Sequence, residues 1–146
     1  MIAAEPIDPP ALLAFFTSEV AGAGAIASFT GLVRSDDGAV SELWLDHHPT
    51  LTEQVITQIA AETEARFDAT VHITHRVGGV AAGEPIVFVA AAARHRRAVF
   101  DAVDYMMDRL KTDAPLWKRE QRGDRALWIE AREADHQDRA RWEGKP

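Results

Sequence analysis

The stretch RHRRAVFDAVDYMMDRLKTDAPLWKRE, residues 94–120, decides how this chain folds. Val99, Val103, Met106, Met107 and Leu110 recur at spacings of three and four, which predicts a helix from His95 to Lys111 with one face packed on a sheet. Pro115 stops that helix from continuing, because its nitrogen carries no proton and its ring clashes with the preceding turn. Beyond the proline the chain reads as a hairpin: LWKREQ as one strand, RGD as a polar turn, RALWIEA as the second strand. Lys111 therefore leaves a helix end and Lys118 enters a strand, with the proline break between them.

Working outward, EPIVFVAAAA (84–93) is a nearly continuous apolar run of the kind a buried central strand shows. TVHITHRV (70–77) predicts another strand, and the glycines of RVGGVAAGE a hairpin turn, since phosphate-cradling loops open onto a helix and this one precedes a strand. Further upstream, Thr50 and Glu53 of TLTE have the spacing of a capping box. Leu51, Val55, Ile59 and Thr63 then carry a helix to about Phe67. AIASFTGLVR (25–34) and VSELWLDHH (40–48) predict two strands paired across the SDDG turn, with a bulge or close backbone approach at Gly31. Near the N-terminus, Asp8 followed by Pro9 and Pro10 marks a helix start, Leu12, Leu13, Phe15 and Phe16 its apolar side, and Gly22 and Gly24 its end. From Glu133 the tail is charged and ends in an Arg-Trp pair. The expected class is α+β: one domain over residues 1–146, a mixed, mostly antiparallel sheet with packed helices, and no internal repeat.

Composition narrows the function. A chain of 146 residues with 47% hydrophobic content can bury a sizeable core without staples. Sixteen Lys and Arg against 23 Asp and Glu give −7, which repels nucleic acid and anionic membranes at long range. There is no cysteine, hence no thiolate nucleophile and no thiolate metal site. No basic leader precedes an apolar run, and no run approaches the ~20 residues that span a bilayer, so a soluble cytoplasmic protein is expected.

Positive charge is concentrated against this acidic background. Residues 94–122 hold eight Lys and Arg against five acids. His95 and Arg96 stand at a helix start, where free N–H groups already favour an anion, so basic side chains there point to an anionic ligand. Arg34, at a strand end beside a turn, is placed to meet an anion too. Two lysines converging on one pocket would lower each other's pKa and yield a proton donor, acceptor or amine nucleophile. The pairs His47 with His48 and His72 with His75 are one and three apart in strands, so their members face opposite sides and share no metal. Ser28 lacks the strand-turn-helix elbow that exposes a nucleophile.

SFTGLVR, HRVGGVAAGE, the 94–120 stretch and WIEARE, in this order from about Gly24 to Trp142, resemble the large subunit of molybdopterin synthase, the MoaE family. The resemblance implies an α/β hammerhead fold and a sulfurtransferase active in molybdenum cofactor biosynthesis. Such an enzyme moves sulfur from the C-terminal thiocarboxylate of a small ubiquitin-like MoaD-type subunit to cyclic pyranopterin monophosphate, forming the molybdopterin dithiolene. It implies no cofactor and no metal, a homodimer of this chain, and a heterotetramer with the partner. It places Phe29, Arg34, His95, Arg96 and Met107 on the substrate and gives Lys111 and Lys118 to catalysis, with Lys111 the first choice for the chemistry. A straight helix from His95 to Lys111 is ~24 Å long, so His95 and Arg96 are expected to reach the neighbouring copy's pocket. Phe29 and Arg34 would lie on opposite strand faces unless Gly31 bulges. Competing expectations are a non-catalytic module that senses a pterin or nucleotide phosphate, and an RNA-binding domain, which the acidic balance opposes.

Overall fold

The computed structural model describes residues 1–144; Lys145 and Pro146, the end of the expected 1–146 span, lie outside the described residues. The elements in chain order are β1 (Ile2–Ala3), α1 (Pro9–Glu19), β2 (Ala25–Leu32), β3 (Glu42–His47), α2 (Leu51–Phe67) and β4 (Thr70–Arg76). They continue with β5 (Gly78–Ala81), β6 (Pro85–Ala93), α3 (Arg96–Thr112), β7 (Leu116–Arg122), β8 (Arg125–Ile129) and α4 (Glu133–Ala140).

Two four-stranded sheets form. The first has the order β1-β4-β6-β2, parallel only where β1 meets β4; the second is β5-β3-β7-β8, antiparallel throughout. As its apolar run predicts, β6 is central and covered on both faces. Val87, Val89, Ala91 and Ala93 pack with Ile56 and Ile59 of α2 and Val99, Ala102, Met106 and Leu110 of α3. Phe88, Ala90 and Ala92 face the other way, onto Phe16 of α1. Each large side chain buried here contributes about 1.5–3 kcal/mol.

The α1 start is as expected: Asp8 Oδ1 accepts from Ala11 N–H at 3.1 Å. So is the irregularity in β2, where the register against β6 shifts between Gly31 and Leu32. A Cβ on Gly31 would stand 2.7 Å from Cγ1 of Val87, closer than packed carbons approach.

Three expectations are corrected. β3 does not pair with β2; it lies between β5 and β7 in the second sheet. The connection from Val33 to Ser41 is too long for a tight hairpin, and Ser41 N–H donates to Gln121 of β7 at 3.1 Å, carrying the chain into the other sheet. The Gly78-Gly79 pair is not a turn but opens strand β5; a Cβ on Gly79 would press on the Glu42 carboxylate at 3.1 Å. The reversal comes later, at Gly83, with φ +88° and an N–H from Glu84 to the Ala81 carbonyl.

The third correction is the capping box of α2. The Thr50 side chain makes no cap bond; Nδ1 of His48 accepts from the N–H groups of Leu51 and Thr50, at 3.0 and 3.3 Å. The charged tail, for which no element is predicted, forms a helix, α4, latched to α3. Arg139 Nε donates to Asp113 at 3.1 Å, and Arg141 Nη2 and Trp142 Nε1 donate to Asp108 at 2.8 and 2.6 Å. The Trp142 ring meets Tyr105 and Phe67 edge-on.

Candidate active site

The two sheets, the C-terminal end of α3 and the entry to α4 enclose a cleft of about 310 Å³. Lys111 comes from the last turn of α3 and Lys118 from β7, and both line it. Lys118 stands directly opposite Leu45 of β3, a residue 1% exposed, so strand geometry aims it at the covered side of its sheet. Its neighbours Trp117 and Arg119 face outward, and Arg119 lies over the rings of Trp44 and Trp128.

This burial has a chemical consequence. Removal from water pushes the Lys118 ammonium down to about 8, Lys111 adds to the fall, and Asp135 opposes it. At neutral pH a measurable fraction of Lys118 is therefore free amine, able to take a proton or attack a carbonyl. The rest of the local positive charge is spent elsewhere. Arg109 is tied to Glu62, Asp113 and the Tyr105 hydroxyl, and Arg122 to Asp36 and Glu120. Of the basic residues in this stretch, Lys111 and Lys118 line the cleft.

Arg34 and Met107 also line the cleft. Phe29 does not: it sits on β2 with its side chain 42% exposed, before the bulge that redirects the strand. His95 and Arg96 are exposed at the opposite end of α3, one helix length from Lys111. One chain thus brings together Arg34, Met107, Lys111 and Lys118, and leaves Phe29, His95 and Arg96 outside.

His72 and His75 separate as strand alternation requires, whereas His48 lies beyond the end of β3. His72 packs between Phe16 and Phe88 on the α1 side, with Nε2 2.6 Å from the Thr74 hydroxyl. His75 lines the cleft, 5% exposed. Its Nδ1 donates to the Arg76 carbonyl at 2.7 Å, which fixes the tautomer. Burial drives its pKa down to about 4; the Arg76 carbonyl opposes this, while Lys118 and Lys111 reinforce it. His75 is thus a neutral imidazole beside two lysines. The sequence reading weighs His75 only as a metal ligand, although it continues the inward alternation Val71, Ile73; Asp135, hidden in the charged tail, it leaves out.

Fold and cleft define an α+β protein whose cleft is lined by two lysines and two arginines, in a chain without cysteine. The family model described as MoaE protein matches residues 2–113. The chain belongs to the MoaE family. It is 45% identical over 140 residues to the molybdopterin synthase catalytic subunit of Caulobacter vibrioides, covering 95% of this chain and 93% of that one. Among solved structures it resembles the molybdopterin biosynthesis MoaE protein of Burkholderia ambifaria, with TM-score 0.83, 37% identity and coverage of 99% and 97%. It also resembles molybdopterin synthase of Staphylococcus aureus, with TM-score 0.79, 27% identity and coverage of 88% and 94%.

Proposed function

We propose that this chain, as one domain acting in the cytoplasm, is the catalytic subunit of a molybdopterin synthase. It takes sulfur from the C-terminal thiocarboxylate of a small ubiquitin-like MoaD-type partner and places it on cyclic pyranopterin monophosphate to build the dithiolene. The observation that carries this reading is the meeting of Lys111 and Lys118 across the Pro115 break in one cleft, where removal from water pushes the Lys118 ammonium down to about 8. Absence of cysteine fits, because the partner brings the sulfur nucleophile.

In this reading Arg34 holds an anionic group of the substrate, and Met107 packs against the pterin. Lys118 moves protons as sulfur attacks and oxygen leaves. Lys111 stabilises negative charge on the partner's terminal glycyl group as water replaces sulfur on its carbonyl carbon. His95 and Arg96 enter the cleft of a second copy, since their own α3 carries them away from it; Phe29 contacts the substrate from the exposed face of β2.

The deciding experiment supplies thiocarboxylated partner and cyclic pyranopterin monophosphate and looks for dithiolene product. Product with the unaltered chain, and none with Lys118→Ala, is expected. Substrate binding without turnover would instead favour a non-catalytic phosphate-sensing module. Mixing a His95→Ala, Arg96→Ala chain with a Lys111→Ala chain tests sharing between copies: partial recovery is expected, and no recovery counts against a shared site.

A further inference from the structure

The cleft contains a carboxylate that the sulfur-transfer chemistry leaves unused. Asp135 lies in the first turn of α4, beyond the residues matched by the family model, and is 9% exposed. It lines the same cleft as Lys111 and Lys118. Its position is fixed: Oδ2 accepts from the backbone N–H of Arg132 at 2.8 Å, and Oδ1 from Nη2 of Arg132 at 3.1 Å. A buried carboxylate is costly unless cations surround it. Arg132 meets that need only from the rim, because its side chain is largely in water. Lys111 and Lys118 line the cleft it faces, the nearest further cations, although neither is ion-paired to it.

We propose that Asp135 is a positioning residue of this site, a fixed carboxylate that holds the two lysines' charge in balance and makes that balance depend on the docking of α4. The inference rests on the sulfur-transfer reading for its catalytic meaning. Its electrostatic support is mutual. Asp135 is held below the usual carboxylate range, first by Arg132 and further by Lys111, and it pulls Lys118 upward against burial and Lys111. The other charged or titratable groups around Lys118 are neutral His75 from β4, Arg34 after β2, and Glu130 and Arg132 before α4. Glu120 of β7 also lines the cleft but is paired with Arg122. Asp135 is the buried anion among them. Arg139 of α4 and Arg141 just after it bond Asp113 and Asp108, which ties the helix carrying Asp135 to the helix carrying Lys111.

The test is the titration of Lys118, followed by NMR of the full chain labelled with 13C at the lysine ε carbon, its signal assigned by its loss in Lys118→Met. Asp135→Asn keeps an oxygen for the Arg132 N–H and removes the charge. The Lys118 midpoint is expected to fall by about half a pH unit or more, and Asp135→Glu to restore it. An unchanged midpoint in a folded Asp135→Asn chain overturns the proposal. Should Asp135→Asn not fold, Asp135→Ser reads the same comparison; if neither folds, Asp135 serves the fold alone and the proposal is lost. Turnover of the unaltered chain is read separately: no product together with a shifted midpoint sinks the sulfur-transfer reading and leaves the hold of Asp135 on the lysines intact.

Discussion

The hydroxyl of Thr52 donates to the Pro115 carbonyl at 2.8 Å while accepting the backbone N–H of His48 at 2.8 Å, and Thr52 is wholly buried. One side chain in the first turn of α2 thereby fastens the break that separates Lys111 from Lys118, and also the exit of β3.

Thr52→Val keeps the shape and removes both bonds, stranding a part-buried carbonyl and an N–H. A loss of about 1–3 kcal/mol in urea denaturation is expected. Turnover should fall further than the lost stability explains, because Pro115 sets where Lys118 begins. Thr52→Ser, which restores the hydroxyl, should recover most of both. A loss below ~0.5 kcal/mol would show that the bonds carry little.

Lys118 makes activity and stability depend on pH in defined directions. If its free amine takes the proton, turnover rises with pH up to about 8 and then levels. Lys118→Arg, charged at every accessible pH, should be inactive with its fold intact. The folded pKa lies below the usual 10.5, so between about 8 and 10.5 the unfolded chain binds more protons and stability rises with pH. Lys118→Met should therefore be the more stable protein below pH 8, by at most ~3 kcal/mol, with the gap closing towards pH 10.5. Parallel denaturation curves at about pH 7 and 10 check this.

His75 works at the acid end. Its folded pKa of about 4 lies below the usual 6.5, so its contribution is complete above 6.5 and is lost as pH falls towards 4. His75→Asn, whose amide can still donate to the Arg76 carbonyl, should flatten the decline in denaturation midpoint between pH 6.5 and 4. An equally steep decline in the variant would assign it to the carboxylates.

Gly31→Ala forces a methyl against Val87 and should cost about 1–3 kcal/mol. Pairing it with Val87→Ala opens space, so the double variant should be more stable than the two separate losses predict. Strict additivity in the four-corner denaturation cycle would show that the β2 bulge tolerates a side chain.

Much of this architecture was legible locally. Spacings of three and four located α2 and α3, proline ended the second of them, an unbroken apolar run marked β6 as central, and one glycine inside a strand marked the bulge. Each signal acts through neighbours within a few residues: helical side chains on one face, a ring against the preceding turn, a missing Cβ. Such effects are written in sequence order.

Everything decided by distant neighbours required the tertiary structure. The alternation of VSELWLDHH showed a strand but not its partners, and β3 lies between β5 and β7, far from it in the chain. The glycine pair at 78–79 has turn chemistry, yet it extends as strand because an edge of the second sheet was open to it. The charged tail carries little apolar pattern, and α4 forms because Asp108 and Asp113 receive its arginines and Trp142. The sequence alone determined that two lysines flank a proline in a chain without cysteine; only the fold decided that Lys118 is half-buried, and that Lys111, His75 and Asp135 line the same cleft. Charge state is set by water excluded and charges brought near, and both depend on contacts between residues that chain order leaves far apart.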